Sequence, residues 1–269
     1  MKISWNRILL VFVFFALTAN FAAAQRRSAG ASKTLEFHVS PSLGFKMMSA
    51  FKMPASYNGT EQMFRDSLAK ADRPGQNLNF GLMYTRKKNV LEAISYGLSY
   101  TTLSFRRRIT DVKLGTEIHP KVGYVAGLVG AGFLEIQQDF RFQYLEASIF
   151  WHRSAEGLGR NLKEFNLWYI FGFSPAVLVR DRVLVRTVGF TNQEGKDRFV
   201  VKDDNITGMR ANLFLQGAYR VEYNMFPKTN AVIQPRLRVP LLPASRGDQT
   251  IFIPQFSLDI GLIFKLGDE

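Results

Sequence analysis

Residues 252–265 read Phe-Ile-Pro-Gln-Phe-Ser-Leu-Asp-Ile-Gly-Leu-Ile-Phe-Lys. Phe252, Pro254, Phe256, Leu258, Ile260, Leu262 and Phe264 share one phase, opposed by Gln255, Ser257, Asp259 and Lys265. Successive side chains of a β-strand point to opposite faces, so this stretch reads as a strand with one apolar and one polar face.

The same period of two recurs along the chain. Apolar phases run through Leu35–Phe45, Leu78–Tyr84, Ile94–Tyr100, Leu145–Trp151, Phe165–Phe173, Leu213–Val221 and Pro235–Val239. Helical periodicity competes nowhere over a comparable length. In the third of these strands Leu103 and Phe105 fall on the other phase, a slip that suggests a bulge. Each segment is long enough to cross a bilayer as a tilted strand. The connections, at 48–76, 87–89, 107–138, 153–164, 180–208, 225–229 and 241–250, alternate long with short apart from a moderate last loop. Long extracellular loops and short periplasmic turns are the asymmetry of an outer-membrane barrel with both termini periplasmic. The expected fold is therefore all-β, an eight-stranded antiparallel up-and-down transmembrane barrel. An extra pair of strands within Val122–Phe133 would make ten.

Alternation alone does not decide which face points inward, and a soluble eight-stranded lipocalin is the alternative. Three connections of about thirty residues are excessive for that fold, and the first strand lacks a Gly-x-Trp arrangement. The polar face carries Glu36, Lys46, Glu146, Arg210, Arg220, Arg236, Arg238 and Asp259. Inside a narrow membrane barrel these charges would fill the lumen and pair.

Outward from the strands, the N-terminus reads as an export signal. A basic start containing Lys2 and Arg7 precedes an apolar run from Ile8 to Thr18 and the small residues Ala22-Ala23-Ala24. Cleavage is expected after Ala24. This leaves a mature segment over 25–33 and a barrel over 34–269. Removing two cations would take the formal charge from +13 to +11. No later segment has the apolar length of a membrane helix. The absence of cysteine excludes disulfides and thiolate metal sites.

An exported basic chain points to outer-membrane lipid and lipopolysaccharide phosphate as partners, with other envelope or secretion proteins, rather than to nucleic acid. Arg106, Arg107 and Arg108 follow an ascending strand and are candidates for lipopolysaccharide contact. An eight-stranded barrel is just wide enough for side chains to fill, which excludes a general porin. Its expected lumen charge network is Glu36, Glu146 and Asp259 as counter-ions of Arg210, Arg236 and Arg238.

No catalytic, cofactor or metal site emerges. His152, Ser154 and Glu156 look like a hydrolase set but would lie at the periplasmic rim. Gly127, Gly130 and Gly132 lack the strand-to-helix context of a dinucleotide loop. His38, His119 and His152 are scattered, and Asp203-Asp204-Asn205 reads as a solvated loop.

The segment Phe140-Arg141-Phe142-Gln143-Tyr144-Leu145-Glu146-Ala147-Ser148-Ile149-Phe150 resembles the Tyr-Leu-Glu-Ile-Pro-Leu strand of the PorT-like outer-membrane β-barrel family of the Bacteroidota. Phe171-Gly172-Phe173-Ser174-Pro175 with Leu178 is similar to that family's next strand, and Phe256–Leu266 to its closing strand. Ala147 and Ser148 stand where the family often has Ile-Pro. The resemblance implies an outer-membrane barrel and a non-enzymatic envelope or secretion accessory, with type IX secretion a role of some members. A lipid A-modifying barrel enzyme and a narrow channel are the alternatives.

Overall fold

The computed structural model of the protein describes residues 33–51, 70–89, 91–109, 135–155, 165–188, 195–201, 206–247 and 249–266. The signal read at 1–24, the glycines of 122–133, His119, Glu156 and Asp203–Asn205 lie outside the described residues. The strands are β1 (Lys33–Gly44), β2 (Met47–Phe51), β3 (Asp72–Lys87), β4 (Glu92–Ile109), β5 (Glu135–Ser154), β6 (Phe165–Val188) and β7 (Arg198–Val201). They continue with β8 (Ile206–Gly208), β9 (Ala211–Phe226), β10 (Thr229–Pro240), β11 (Ser245–Gly247), β12 (Gln249–Phe252) and β13 (Gln255–Leu266).

Eight of these form a wall in the order β5-β4-β3-β1-β13-β10-β9-β6, and β5 pairs with β6 to close it. Neighbours are antiparallel, and β1 sits between β3 and β13. The barrel thus has eight wall strands rather than ten. The short β2, β12, β11 and β8 make a separate four-stranded sheet, and β7 lies along the far end of β6. The strand directions bring Lys87 and Glu92, Ser154 and Phe165, and Phe226 and Thr229 to one end, here the lower, and Gly44, Asp72, Ile109, Glu135 and Pro240 to the other, the upper.

The apolar phase points outward. Phe37, Phe80, Trp151, Phe171, Leu237 and Ile260, from six strands, are 46–59% exposed, while Glu36, Glu146, Arg220 and Asp259 are at most 1% exposed. This is the reverse of a lipocalin and marks a transmembrane barrel. From Phe256 to Phe264 the belt spans roughly 20 Å for a strand tilted near 40°. Its lower edge is aromatic: Phe165 packs on Tyr223 at 5.1 Å and Tyr169 on Tyr219 at 5.4 Å. Aromatic rings of this kind suit a membrane–water interface.

Above the belt the pattern inverts. In β5 the outward residues change from Leu145, Ala147, Ile149 and Trp151 to Gln137, Asp139, Arg141 and Gln143. Over the same height the inward ones become Ile136, Phe140, Phe142 and Tyr144. Leu103 and Phe105 of β4 belong to the same buried cluster. Their phase change is not a slip of β4, which stays paired with β5 without interruption from Glu92 to Ile109. The bulge lies instead in the pairing of β3 with β4, between Pro74 and Phe80. There Gly75 comes so close to the backbone of Ser104 that a Cβ would stand 2.3 Å from the Ser104 carbonyl oxygen.

Candidate functional site

The lumen is stacked in layers, because inward positions of eight strands recur at matching heights. At the lower end Ser95 Oγ lies 2.6 Å from His152 Nε2 and 2.6 Å from Thr85 Oγ1. His152 packs edge-on to Trp168. Next to them, a small cavity is lined by residues including Trp168, Asn230, Lys87 and Glu222. The buried Trp168 Nε1 and Asn230 Oδ1 have no hydrogen-bond partner among the described residues. Such a polar cavity is a site for ordered water.

The second layer centres on Arg220, 1% exposed. Its Nη2 donates to Glu36 Oε2 at 2.6 Å, its Nε to Gln234 Oε1 at 2.7 Å and its Nη1 to Glu222 Oε1 at 3.4 Å. His38 Nδ1 lies 3.3 Å from Glu36 Oε1. Above it, Arg236 pairs through Nη2 with Asp259 Oδ2, a close contact at a poor hydrogen-bond angle. Its Nη1 donates to Gln216 Oε1 at 3.2 Å, and its guanidinium lies over the Phe150 ring at 5.1 Å. In the third charged layer Arg238 reaches Glu146 Oε2 at 3.4 Å and donates to Gln255 Oε1 at 2.9 Å. Three buried ion pairs thus fill the lumen at successive heights, Arg220–Glu36 and Arg238–Glu146 across it and Arg236–Asp259 between the neighbouring β10 and β13, each with amide or hydroxyl partners.

The apolar cluster closes the barrel above these layers. Phe105 and Phe140 stack with centroids 4.5 Å apart, and Tyr144 meets Phe214 edge-on. Ile251 and Ile206, from the small upper sheet, cap the cluster. On its upper side Lys46 donates to Asp72 Oδ2 at 2.5 Å, and Arg107 Nε donates to Asp72 Oδ1 at 2.9 Å. Burial and the adjacent Arg107 guanidinium hold the Lys46 ammonium down to about 8, against the opposing pull of Asp72.

Of the six residues expected in the lumen network, Glu36, Glu146, Arg236, Arg238 and Asp259 lie inside and pair. Arg210 does not. It is exposed at a bend before β9 begins at Ala211, so the strand's alternation never reaches it. Arg220, ten residues on and of the same parity, is the partner of Glu36. The arginine triplet divides in the same way. Arg107 turns inward to Asp72, while Arg106 and Arg108 are exposed on the outer face. Of the triplet, only Arg106 and Arg108 therefore stand on the outer face. Arg108 already forks Glu135 with bonds of 2.7 and 2.6 Å, which hold that carboxyl below the usual carboxylate range.

Of the hydrolase set, Glu156 lies outside the described residues, and His152 Nε2 is engaged by Ser95. The described residues also hold no cluster of metal-binding side chains.

No family model matches this chain, and no curated protein does. Solved structures of small outer-membrane barrels do. Neisserial surface protein A is 11% identical, with 88% of this chain and 99% of that one covered at a TM-score of 0.39. OprG from Pseudomonas aeruginosa is 11% identical over 88% and 97%, at 0.38. The Ail protein of Yersinia pestis is 13% identical over 87% and 99%, at 0.32. The likeness extends to the general barrel form alone.

Proposed function

We propose that the protein is an outer-membrane anchor, a non-conducting and non-enzymatic barrel whose working surface is its extracellular end. The observation that carries this reading is the double closure of the lumen, by three charged layers and by the apolar cluster above them. A side-chain-filled lumen offers no aqueous path. The outward apolar belt supports residence in a bilayer, and the export signal read at 1–24 supports the outer membrane as that bilayer. An enzyme acting on outer-leaflet lipid needs a nucleophile and base at the upper end. The hydrogen-bonded Ser95–His152 pair stands at the lower one.

Within this reading, the resemblance to PorT-like barrels favours an envelope accessory with a secretion role. The barrel would then hold an extracellular platform against other envelope proteins. Cross-linking from Arg198 or Lys196 of β7 and its approach, in intact cells, identifies those proteins.

The expected result in planar bilayers is baseline current from the purified mature protein, because a filled eight-stranded lumen has no open path. Sucrose-gradient fractionation should place it with outer membrane, its N-terminus at Gln25. Stable conductance steps would overturn the closed-lumen reading, and recovery in soluble periplasm would overturn the anchor.

A further inference from the structure

Three strands of the wall continue above the apolar belt as a sheet with β7, and the outer face of this extension is rich in arginine. β4 contributes Arg106 and Arg108, which stand opposite Asp139 and Gln137 of β5. β5 contributes Arg141, directly opposite Arg182 of β6. β6 adds Arg180 opposite Gln143 and Arg186 opposite Gln137, and Arg186 is also directly opposite Arg198 of β7. Cross-strand partners share a face. Seven arginines therefore look outward together.

Two carboxylates accompany them, Glu135 held by Arg108 and Asp139 held by Arg141. Among the described residues, Arg106, Arg180, Arg182 and Arg198 have no ion-pair partner. The Arg182 Nε is shielded and makes no hydrogen bond.

This placement depends on one irregularity in β6. Below it Val177 faces out and Leu178 is paired with inward Tyr144; above it Arg180 pairs with Gln143 and Asp181 with Phe142. Val179 is the extra residue, 61% exposed. Without the bulge, strict alternation would turn Val183 and Val185 outward and Arg180, Arg182 and Arg186 into the apolar cluster. The bulge instead buries both valines and delivers all three arginines to the outer face.

Like charges directly opposite on neighbouring strands are destabilising; Asp139 answers Arg141 alone, so Arg182 beside it and the pair Arg186–Arg198 call for a further anion. Their height says which anion. Arg182 is three residues above Val179, roughly 8 Å along the barrel axis, and Arg141 four above Leu145, roughly 10 Å, for strands rising 3.3 Å per residue at a tilt near 40°. That is the level of the headgroup phosphates just above the hydrocarbon. Guanidinium pairs bind phosphate oxygens bidentately and bridge two phosphates in fixed geometry.

We propose that this face, Arg141, Arg180, Arg182 and Arg186 with the flanking Arg106 and Arg198, is a binding site for the phosphate groups of outer-leaflet lipopolysaccharide. The proposal rests on the outer-membrane reading above. The site grips the lipid from the side of the extension and fixes its height against the membrane.

The test uses the full mature chain in nonionic detergent, titrated with diphosphoryl lipid A, monophosphoryl lipid A and, separately, heparin as a soluble polyanion. Wild type should bind diphosphoryl lipid A at least tenfold more tightly than the combined Arg141→Gln, Arg180→Gln, Arg182→Gln and Arg186→Gln variant. It should also prefer it to the monophosphoryl form, with an affinity that weakens as salt rises. The paired variant Lys88→Gln and Arg153→Gln, at the lower rim, should bind as wild type. Equal lipid A affinity in the four-arginine variant overturns the proposal, and so does binding of heparin without lipid A, which would make the face a site for a soluble polyanion. Circular dichroism and heat-modifiable gel mobility keep the readings apart. A folded wild type that inserts into vesicles but ignores lipid A sinks the site alone, whereas failure to insert sinks the anchor.

Discussion

Replacing Arg220 by methionine is expected to lower the stability of the folded barrel by about 3–5 kcal/mol, the cost of leaving a buried partner charge uncompensated. Arg220 is the largest fully buried side chain, and it holds Glu36 at 2.6 Å and Glu222 at 3.4 Å. Methionine fills a similar volume but carries no donor, so Glu36 loses its buried cation with Asp259 nearby, while Glu222 keeps only the polar cavity that it lines. Urea unfolding in detergent micelles, followed by tryptophan fluorescence at neutral pH, gives the change in midpoint. The double variant Arg220→Met with Glu36→Gln should recover part of the loss, because it removes the charge that the single change orphans. Arg153→Met at the exposed lower rim should leave the midpoint where it is. An unchanged midpoint in Arg220→Met would mean that Glu36 is hydrated, and the closed-lumen reading would fail with it.

Much of the barrel was legible because a period of two is a local property. The phases of Leu35–Phe45 and Phe252–Phe264 name the outward residues without reference to any partner strand. The side on which the apolar face lies was not local: alternation is the same in a lipocalin, so only the connection lengths and the charged phase argued for an outward face, and exposure of Phe37, Phe171 and Ile260 with burial of Glu36 and Asp259 decides it. Arg210 and Arg220 share parity, so alternation alone could not separate them. What separates them is where pairing of β9 begins, one residue after Arg210.

A stronger signal lies in the way neighbouring strands change phase. In β5 the apolar phase changes between the adjacent residues Tyr144 and Leu145, in β4 between Tyr100 and Leu103, and in β6 across Val179. Taken singly each resembles a bulge. Three neighbouring strands reversing at one height are instead the mark of the surface where the solvent outside changes from lipid to water. Below it apolar residues belong outside, and above it they belong inside. The arginine-rich outer face is the other half of that reversal. It was hidden in the sequence because Arg106–Arg107–Arg108 drew attention as a run, whereas a strand splits any run between its two faces.

The same reversal makes the upper cluster a separate source of stability. Phe105→Ala is therefore expected to cost about 3–5 kcal/mol, as for truncation of a large aromatic in a core that relaxes only partly. Phe105 is fully buried and lies against Phe140 at an interplanar angle of 7°. The Lys46 ammonium stands over its ring at 4.9 Å. Removing the ring leaves a void among Phe140, Leu103 and Ile253, and the ammonium loses its aromatic partner. The lumen nevertheless stays shut, because the pairs Arg238–Glu146, Arg236–Asp259 and Arg220–Glu36 lie below the void and none touches Phe105. Two measurements separate the effects: the temperature of the folded-to-unfolded gel shift should fall, while current in planar bilayers stays at baseline. An unshifted transition would show that the aromatic stack contributes nothing to the fold. Conductance steps would show that the charged layers do not seal the barrel by themselves, so that the charged layers and the apolar cluster are one closure rather than two.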